Sequence, residues 1–512
     1  MAAVVTDQFR ILNADNFINS VLSDSNSYYV FAGLANPTIT GFGRTDTWNN
    51  ENDVEKNPID NLDYLNHYKE TSFFGKKITS SNIRRVIRKV SWTANTNYDM
   101  YRHDYSSKNP TPNSGLPRLY DSNFYVVNSD YRVYICIDNV SSGDLPKGKV
   151  SEVEPIFTDI EPTTLSDGYT WKYLFSISPS DIIKFDSTEY VVVPNNWSTS
   201  TDSQIQTIRE SGDSDVNLNQ IKKVYIQNGG AGYALNKEET CNINGDGSGA
   251  KVVVKTDGTG KIKSAKVVSG GSGYTYGFLD LNPVRKSGIN PTTFAKLIPI
   301  IPPSKGHGYD VYRELGADRI LIYARFDDST RDFPTSSKFA QIGIIKNPQS
   351  YSGNSIFNEN QFSSLYALKI NISGPVFPII GEKIQGSSSN ILGYVASYDK
   401  DTGVLKYYVD RSLSFSNSKD STDSNSNLKL QPFMSGSITG KTSSFSASID
   451  TSFGSSSPTS IFDGINLGAT FVNGVANPEI NRKTGDIIYI DNRTLVSRDS
   501  RQKEDVKIIL EF

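Results

Sequence analysis

The chain has 512 residues, too many for one ordinary hydrophobic core, so length alone predicts about three domains. Its 52 Lys and Arg stand against 55 Asp and Glu, for a formal net charge of −3, which argues against global attraction to nucleic acid or to an anionic membrane. Hydrophobic residues reach only 37%, while Tyr (28), Phe (25), Gly (39) and Pro (22) are plentiful, a balance that predicts a mainly β, polar-surfaced protein.

The first eight residues carry no basic segment and too short an apolar run for a signal peptide, and no apolar run approaches a membrane span. A soluble protein outside the general secretory route is therefore expected. Cys136 and Cys241 are far apart and cannot build a disulfide framework, which fits a reducing compartment.

In chain order, a short helix is expected over 13–23, capped by Asn13 or Asp15, with Phe17, Ile18, Val21 and Leu22 on one face. Gly41-Phe42-Gly43-Arg44-Thr45-Asp46-Thr47-Trp48 then runs into an Asn/Glu-rich stretch ending at Asp53. Its glycines permit a tight turn, and Arg44 and Trp48 offer planar faces for packing or for a partner. The clearest helix is expected over 81–90, capped by Ser80 or Ser81, where Ile83, Val86, Ile87 and Val90 recur at i, i+3, i+4 and i+7. Its other side carries Arg84, Arg85, Arg88 and Lys89, read either as a solvated basic face or as a partner contact. Trp92 follows. The loop 98–120 holds Tyr98, Tyr101, Tyr105 and Tyr120 among prolines. It reads either as a contact surface or as a loop packed on its own subunit.

Strands dominate from 123 onward. Segments 124–127 and 131–137 flank an Asn128-Ser129-Asp130 turn, and 169–175 and 189–193 follow, the last closed by Pro194. Residues 221–233 and 262–274 form an internal repeat, a strand running into Gly-Gly-Xaa-Gly-Tyr, with a hairpin between the copies at 251–260. Further strands are expected at 319–326 and 339–345, a second small β module at about 365–411, Ser/Asn-rich loops or weak strands over 412–460, and closing strands at 486–490 and 506–512.

Little in the chain calls for catalysis. His67, His103 and His307 are not at ligand spacing, so neither a metal nor any other cofactor is expected. Gly436 to Thr442 resembles a phosphate-binding loop but is one residue short and runs into a strand-like alternation. Gly245 to Ala250 fits a dinucleotide fingerprint but also opens a strand. Asp399, Asp401 and the Asn244/Asp246 pair read as hairpin turns, since they lack the ligand count of a Ca²⁺ loop. Asp167 and Glu189 are a nominal glycosidase pair, resting on carboxylate abundance alone.

Framework motifs carry more. Phe42-Gly43-Arg44 with Trp48 and the Asn/Glu-rich run, Arg88 to Trp92, Asp167-Gly168-Tyr169-Thr170-Trp171-Lys172-Tyr173-Leu174-Phe175, Thr188 to Pro194, Ile342 to Pro348, Gly485 to Arg493 and Ile508 to Phe512 occur in one order. Together they resemble the baseplate wedge subunit of T-even-type contractile-tailed bacteriophages, the gene product 8 family. The resemblance covers roughly 1–200, 310–350 and 480–512. It implies a two-layer β-sandwich, a homodimer, contacts with other wedge proteins, and no catalysis. It divides the chain into a framework (1–204, 301–350, 461–512), an inserted β module carrying the repeat (205–300), and a second inserted module with Ser/Asn-rich loops (351–460).

The expectation is a structural subunit of the virion tail baseplate, assembled in the cytoplasm of the bacterial host. It would bridge neighbouring wedge proteins, with neither nucleic acid nor membrane as partner. Interface candidates are Arg44, Trp48, Arg84, Arg85, Arg88, Lys89, Trp92, Tyr98, Tyr101 and Tyr105. Two rival readings are an accessory protein whose inserts, including the Gly-Gly-Xaa-Gly-Tyr tyrosines, bind a host-surface glycan or receptor, and a tail-associated polysaccharide hydrolase.

Overall fold

The computed structural model describes residues 4–33, 57–211, 220–327, 338–387, 391–409, 432–497 and 502–512. The Gly41–Trp48 segment, and with it Arg44 and Trp48, lies outside them. The protein is mainly β, with sandwich-like antiparallel sheets and, among the described residues, five α-helices. It divides into two compact units, each assembled from separated stretches: 1–16, 84–321 and 509–512 in the first, 17–83 and 322–508 in the second.

The first helix is longer than expected, Asp7–Leu22. Ile11, Ala14, Ile18 and Val21 form its buried stripe, while Phe17 is half-buried and Leu22 exposed. The expected helix at 81–90 is instead a strand, Ile83–Arg88. Its residues 85–88 pair antiparallel with Tyr190–Val193. Ile83, Arg85, Val86 and Ile87 are all buried, although the first, second and fourth point to one face and Val86 to the other. A strand covered on both faces lacks clean alternation, so its apolar residues mimic a helical period. β-Branched Ile and Val then favour the extended form.

In the first unit, Tyr125–Val127, Arg132–Asp138, Thr170–Ser176 and Thr163–Thr164 form one antiparallel sheet. The first hairpin turns where expected. The Asn128 side chain accepts from the N–H groups of Asp130 (3.0 Å) and Arg132 (2.8 Å), and Tyr131 takes the positive φ of 56°. Trp171, Tyr173, Tyr134 and Tyr169 are buried here, with Tyr169 stacked on Trp171 at 5.5 Å. A second sheet orders Ile262–Ser272, Ser248–Thr256, Glu238–Gly245 and Gly277–Leu279, with Val224–Asn228 pairing separately to Lys296–Pro299. This stretch has its own core, which includes Ile221, Tyr233, Cys241, Val252, Val254 and Tyr274.

In the second unit, Gln361–Ser363, Ser72–Lys77, Tyr28–Gly33, Lys338–Lys346 and Asp486–Ser497 form a five-stranded sheet over Tyr29, Phe31, Ile345, Phe357 and Phe362. A further sheet runs Val404–Tyr408, Leu392–Asp399, Lys383–Gly386, Ser437–Gly440, Ser446–Ile449 and Tyr366–Ile372. The last strand also pairs with the first, Tyr366 opposite Tyr407, so the six strands close into a small barrel. Leu368, Ile384, Val395, Leu405, Tyr407 and Ile438 fill it. Residues 437–449, in the stretch expected to hold loops or weak strands, supply two of its staves.

Candidate interaction surface

The four cations proposed for a basic face are held by the chain itself. Arg84 Nε donates to Asp181 at 3.0 Å. Arg85, only 6% exposed, donates through Nε to Asp15 at 2.9 Å and lies over the Tyr312 ring at 4.2 Å. Arg88 Nη2 donates to the Ser122 carbonyl at 2.7 Å, and Lys89 Nζ to Asp186 at 2.7 Å. Because Arg85 is buried, its carboxylate partner is what makes a charge tolerable at that depth.

The aromatic loop is likewise packed onto its own subunit. Trp92 is half-buried, with Nε1 donating to Ser151 Oγ at 3.1 Å. Tyr98 is 1% exposed; its ring meets Trp171 edge-on at 5.7 Å, and its N–H donates to Tyr169 Oη at 3.1 Å. Tyr101, also buried, stands edge-on to His307 at 4.8 Å. Tyr105 Oη donates to the Met100 carbonyl at 3.2 Å. Burial pushes the Tyr101 and Tyr105 phenols well above their ordinary range. Between them Arg102 forks onto Asp104 at 2.9 and 2.7 Å and covers the Tyr225 ring at 4.2 Å.

The tyrosines of the two repeats face inward, which corrects the idea that they present rings to sugars. Tyr233 is 1% and Tyr274 2% exposed. In each copy the second and third glycines take positive φ, 65° and 87° at Gly230 and Gly232, 62° and 75° at Gly271 and Gly273. A Cβ on Gly230 or Gly271 would sit 2.9 or 2.8 Å from its own tyrosine ring. The repeat is thus a device for turning a strand end and folding the following ring over bare backbone.

The phosphate-loop lookalike does gather amides around an anion, but the anion is the buried Glu382 carboxylate. It accepts from the N–H groups of Thr442 (3.2 Å), Ser443 (3.0 Å) and Ile379 (2.7 Å), and from Ser443 Oγ (2.8 Å). Asp399 closes a turn by accepting from Asp401 N–H at 3.0 Å. Asp246 accepts from the Thr275 hydroxyl and from the Thr275 and Tyr276 N–H groups, and these bonds, the hydroxyl's first, draw its carboxyl down to about 2. Asp167 is a loop clamp: its oxygens accept from Tyr169 N–H (3.0 Å), Glu152 N–H (2.9 Å), Val153 N–H (3.1 Å) and Ser151 Oγ (3.2 Å). Glu189 is exposed.

Two features escaped the sequence. His307 Nδ1 lies 2.5 Å from Glu314 Oε1, both fully buried, and Gly308 N–H donates to the other oxygen at 2.7 Å. Lys172 is buried as well, donating to the Ile160 carbonyl at 2.8 Å, and burial draws its ammonium down to about 8. No local pattern announces either the buried pair or the burial of Lys172; the groups meet through tertiary folding. The second feature is apolar exposure at the N-terminal helix: Phe9 (53%) and Leu12 (51%) face outward at helical spacing, and Val5 (56%), just before the helix, is exposed as well. Extending the periodicity upstream of residue 13 would have found it.

Among the described residues no group of three or more His, Cys, Asp or Glu is arranged to hold a metal ion, and no helix is long and apolar enough to cross a membrane. No known protein-family model matches this sequence, and no curated protein matches it.

Proposed function

We propose that this protein is a structural subunit of a bacteriophage tail baseplate wedge, which dimerises and bridges neighbouring wedge proteins during assembly and conformational change. The observation that supports the reading is how the ordered motifs meet. The 88–92 and 188–194 blocks pair, Arg88 opposite Tyr190, with Lys89 N–H donating to the Glu189 carbonyl at 2.7 Å. The 342–348 and 485–493 blocks, separated by the whole second inserted stretch, also pair, Ile342 opposite Asp491 and Ile344 opposite Tyr489. Blocks chosen only by resemblance to one family are therefore partners in space, as the strands of a common framework are.

The proposed basic and aromatic contacts are largely committed within the subunit. The exposed apolar residues Val5, Phe9 and Leu12 are the better candidate for the dimer contact. Analytical ultracentrifugation of the purified chain should give a dimer that joins purified wedge components. Phe9→Asp with Leu12→Asp should weaken dimerisation by about tenfold or more while leaving the circular-dichroism spectrum of the folded chain unchanged. A strict monomer that fails to join wedge components would refute the proposal.

A further inference from the structure

In the second unit, beside the barrel, lies a groove of about 970 Å³. That volume is at the upper end of the roughly 300–1,000 Å³ common for ligand clefts. Its lining is chemically selective. Gln361, Asn466, Asn473 and Asn477 supply amides, the Gln361 oxygen accepting from Lys76 Nζ and the Asn466 oxygen from Gly468 N–H at 3.0 Å; serines and Thr470 supply hydroxyls, Gly468 and Ala469 keep part of the wall low, and Glu479 is the one charged residue among those lining it.

One ring is presented rather than buried. Tyr351 is 38% exposed at the groove and is braced from behind. Its ring stands edge-on to Tyr366 at 6.3 Å, Tyr366 stacks on Tyr407 at 5.4 Å, and the Arg482 guanidinium covers Tyr366 at 5.2 Å. Its N–H donates to the Glu479 carbonyl at 3.0 Å. Another part of the lining is also fixed. Asn473 and Gly474 take φ of 50° and 79° in a two-residue turn closed by Val472 N–H to Val475 O at 2.9 Å.

We propose that this groove binds a neutral oligosaccharide, with the Tyr351 ring as stacking platform and the Asn and Gln amides as partners for sugar hydroxyls. Amides offer both donors and acceptors, matching hydroxyls that are both, while a ring face suits the C–H side of a pyranose. A phosphorylated or otherwise anionic ligand would find no Lys or Arg among the lining residues, the adjacent Lys76 ammonium being spent on the Gln361 oxygen, and a lipid would find too many amides. Hydrolysis of a glycoside uses a pair of carboxylates. The lining offers one, and its Oε2 already accepts from Ser363 N–H at 2.6 Å. The groove therefore holds sugar without cutting it. The rigid platform and turn keep the ordering cost of binding low.

The test is saturation-transfer NMR and calorimetry on the full chain. The probes are neutral linear tetrasaccharides of glucose, mannose, galactose and N-acetylglucosamine, with inorganic phosphate as the charged probe. At least one sugar should receive saturation on its ring protons and be recovered uncleaved, and phosphate should not bind. Tyr351→Ala should weaken that sugar by about tenfold or more, and Tyr351→Phe should retain most of the affinity. Asn477→Ala, at an exposed side chain, should weaken it several-fold with an unchanged melting temperature. Absence of signal from all of these sugars, binding that survives both Tyr351→Ala and Asn477→Ala, or cleavage of the sugar would overturn the inference.

Discussion

Lys172 shows how a residue inside a recognisable motif acquires a property the motif does not announce. Burial draws its ammonium from an ordinary 10.5 to about 8, with Lys222 adding to the effect and Glu161 and Glu314 opposing it. Between pH 8 and 10.5 the unfolded chain therefore binds a proton that the folded chain has released, so this residue makes stability rise with pH in that window. Below pH 8 both states are protonated and the contribution is flat. In urea titrations from pH 8 to 9.5, the stability of the native chain minus that of Lys172→Met should climb by up to about 1.4 kcal/mol per pH unit. A flat difference would show that the ammonium is not desolvated. The Asp-Gly-Tyr-Thr-Trp-Lys-Tyr run was legible as a strand because its aromatic and β-branched residues say so locally. That Lys172 shares its interior with His307 and Glu314 was not legible, because residues far apart in sequence meet there without any local pattern.

At the scale of elements, legibility followed the turns. The 128–131 and 257–260 hairpins and the Gly-Gly-Xaa-Gly-Tyr ends are written in residues that take positive φ or accept backbone N–H groups, and the structure forms them. The strand at Ile83–Arg88 was misread because burial on both faces erased its alternation and its arginines looked like a solvated side. Arg85 is held in that strand by Asp15, the Tyr312 ring and the Asn195 carbonyl. The repeat gives a graded test. Gly271→Ala puts a Cβ 2.4 Å from the Ser248 carbonyl oxygen and against the Tyr274 ring, whereas Gly273→Ala finds only Gly247 at 3.8 Å. Both sites have positive φ, so both substitutions are strained. Urea unfolding should show a loss of ~1–2 kcal/mol for Gly273→Ala and at least ~1 kcal/mol more for Gly271→Ala. Equal losses would mean that the ring does not rest on the glycine.

At the scale of the whole molecule, each unit is stitched from separated stretches, and the last four residues belong with 84–321. Arg319 Nη2 donates to Glu511 at 2.8 Å and Phe512 N–H to the Asp318 carbonyl at 3.2 Å. Removing 509–512 should therefore destabilise the unit that contains Trp92, Trp171 and Trp197, by ~2 kcal/mol, seen as an earlier tryptophan-fluorescence transition in denaturant. An unshifted transition would show that these residues add nothing to that unit. Composition foretold a mainly β protein. Closure of the barrel was not foretold, because pairing Tyr366 with Tyr407 across an intervening sheet is a long-range event for which no sequence period exists.

The carboxylate of Glu382 is the built-in counterpart of its own turn, an occupant supplied by the chain itself. Gly440 lets it approach, since a Cβ there would lie 2.5 Å from its oxygen. Such a turn is self-quenched: dissolved phosphate or sulfate must compete with a ligand present at an effective concentration no solution reaches. Glu382→Ala would leave those buried donors without a partner and should loosen the turn.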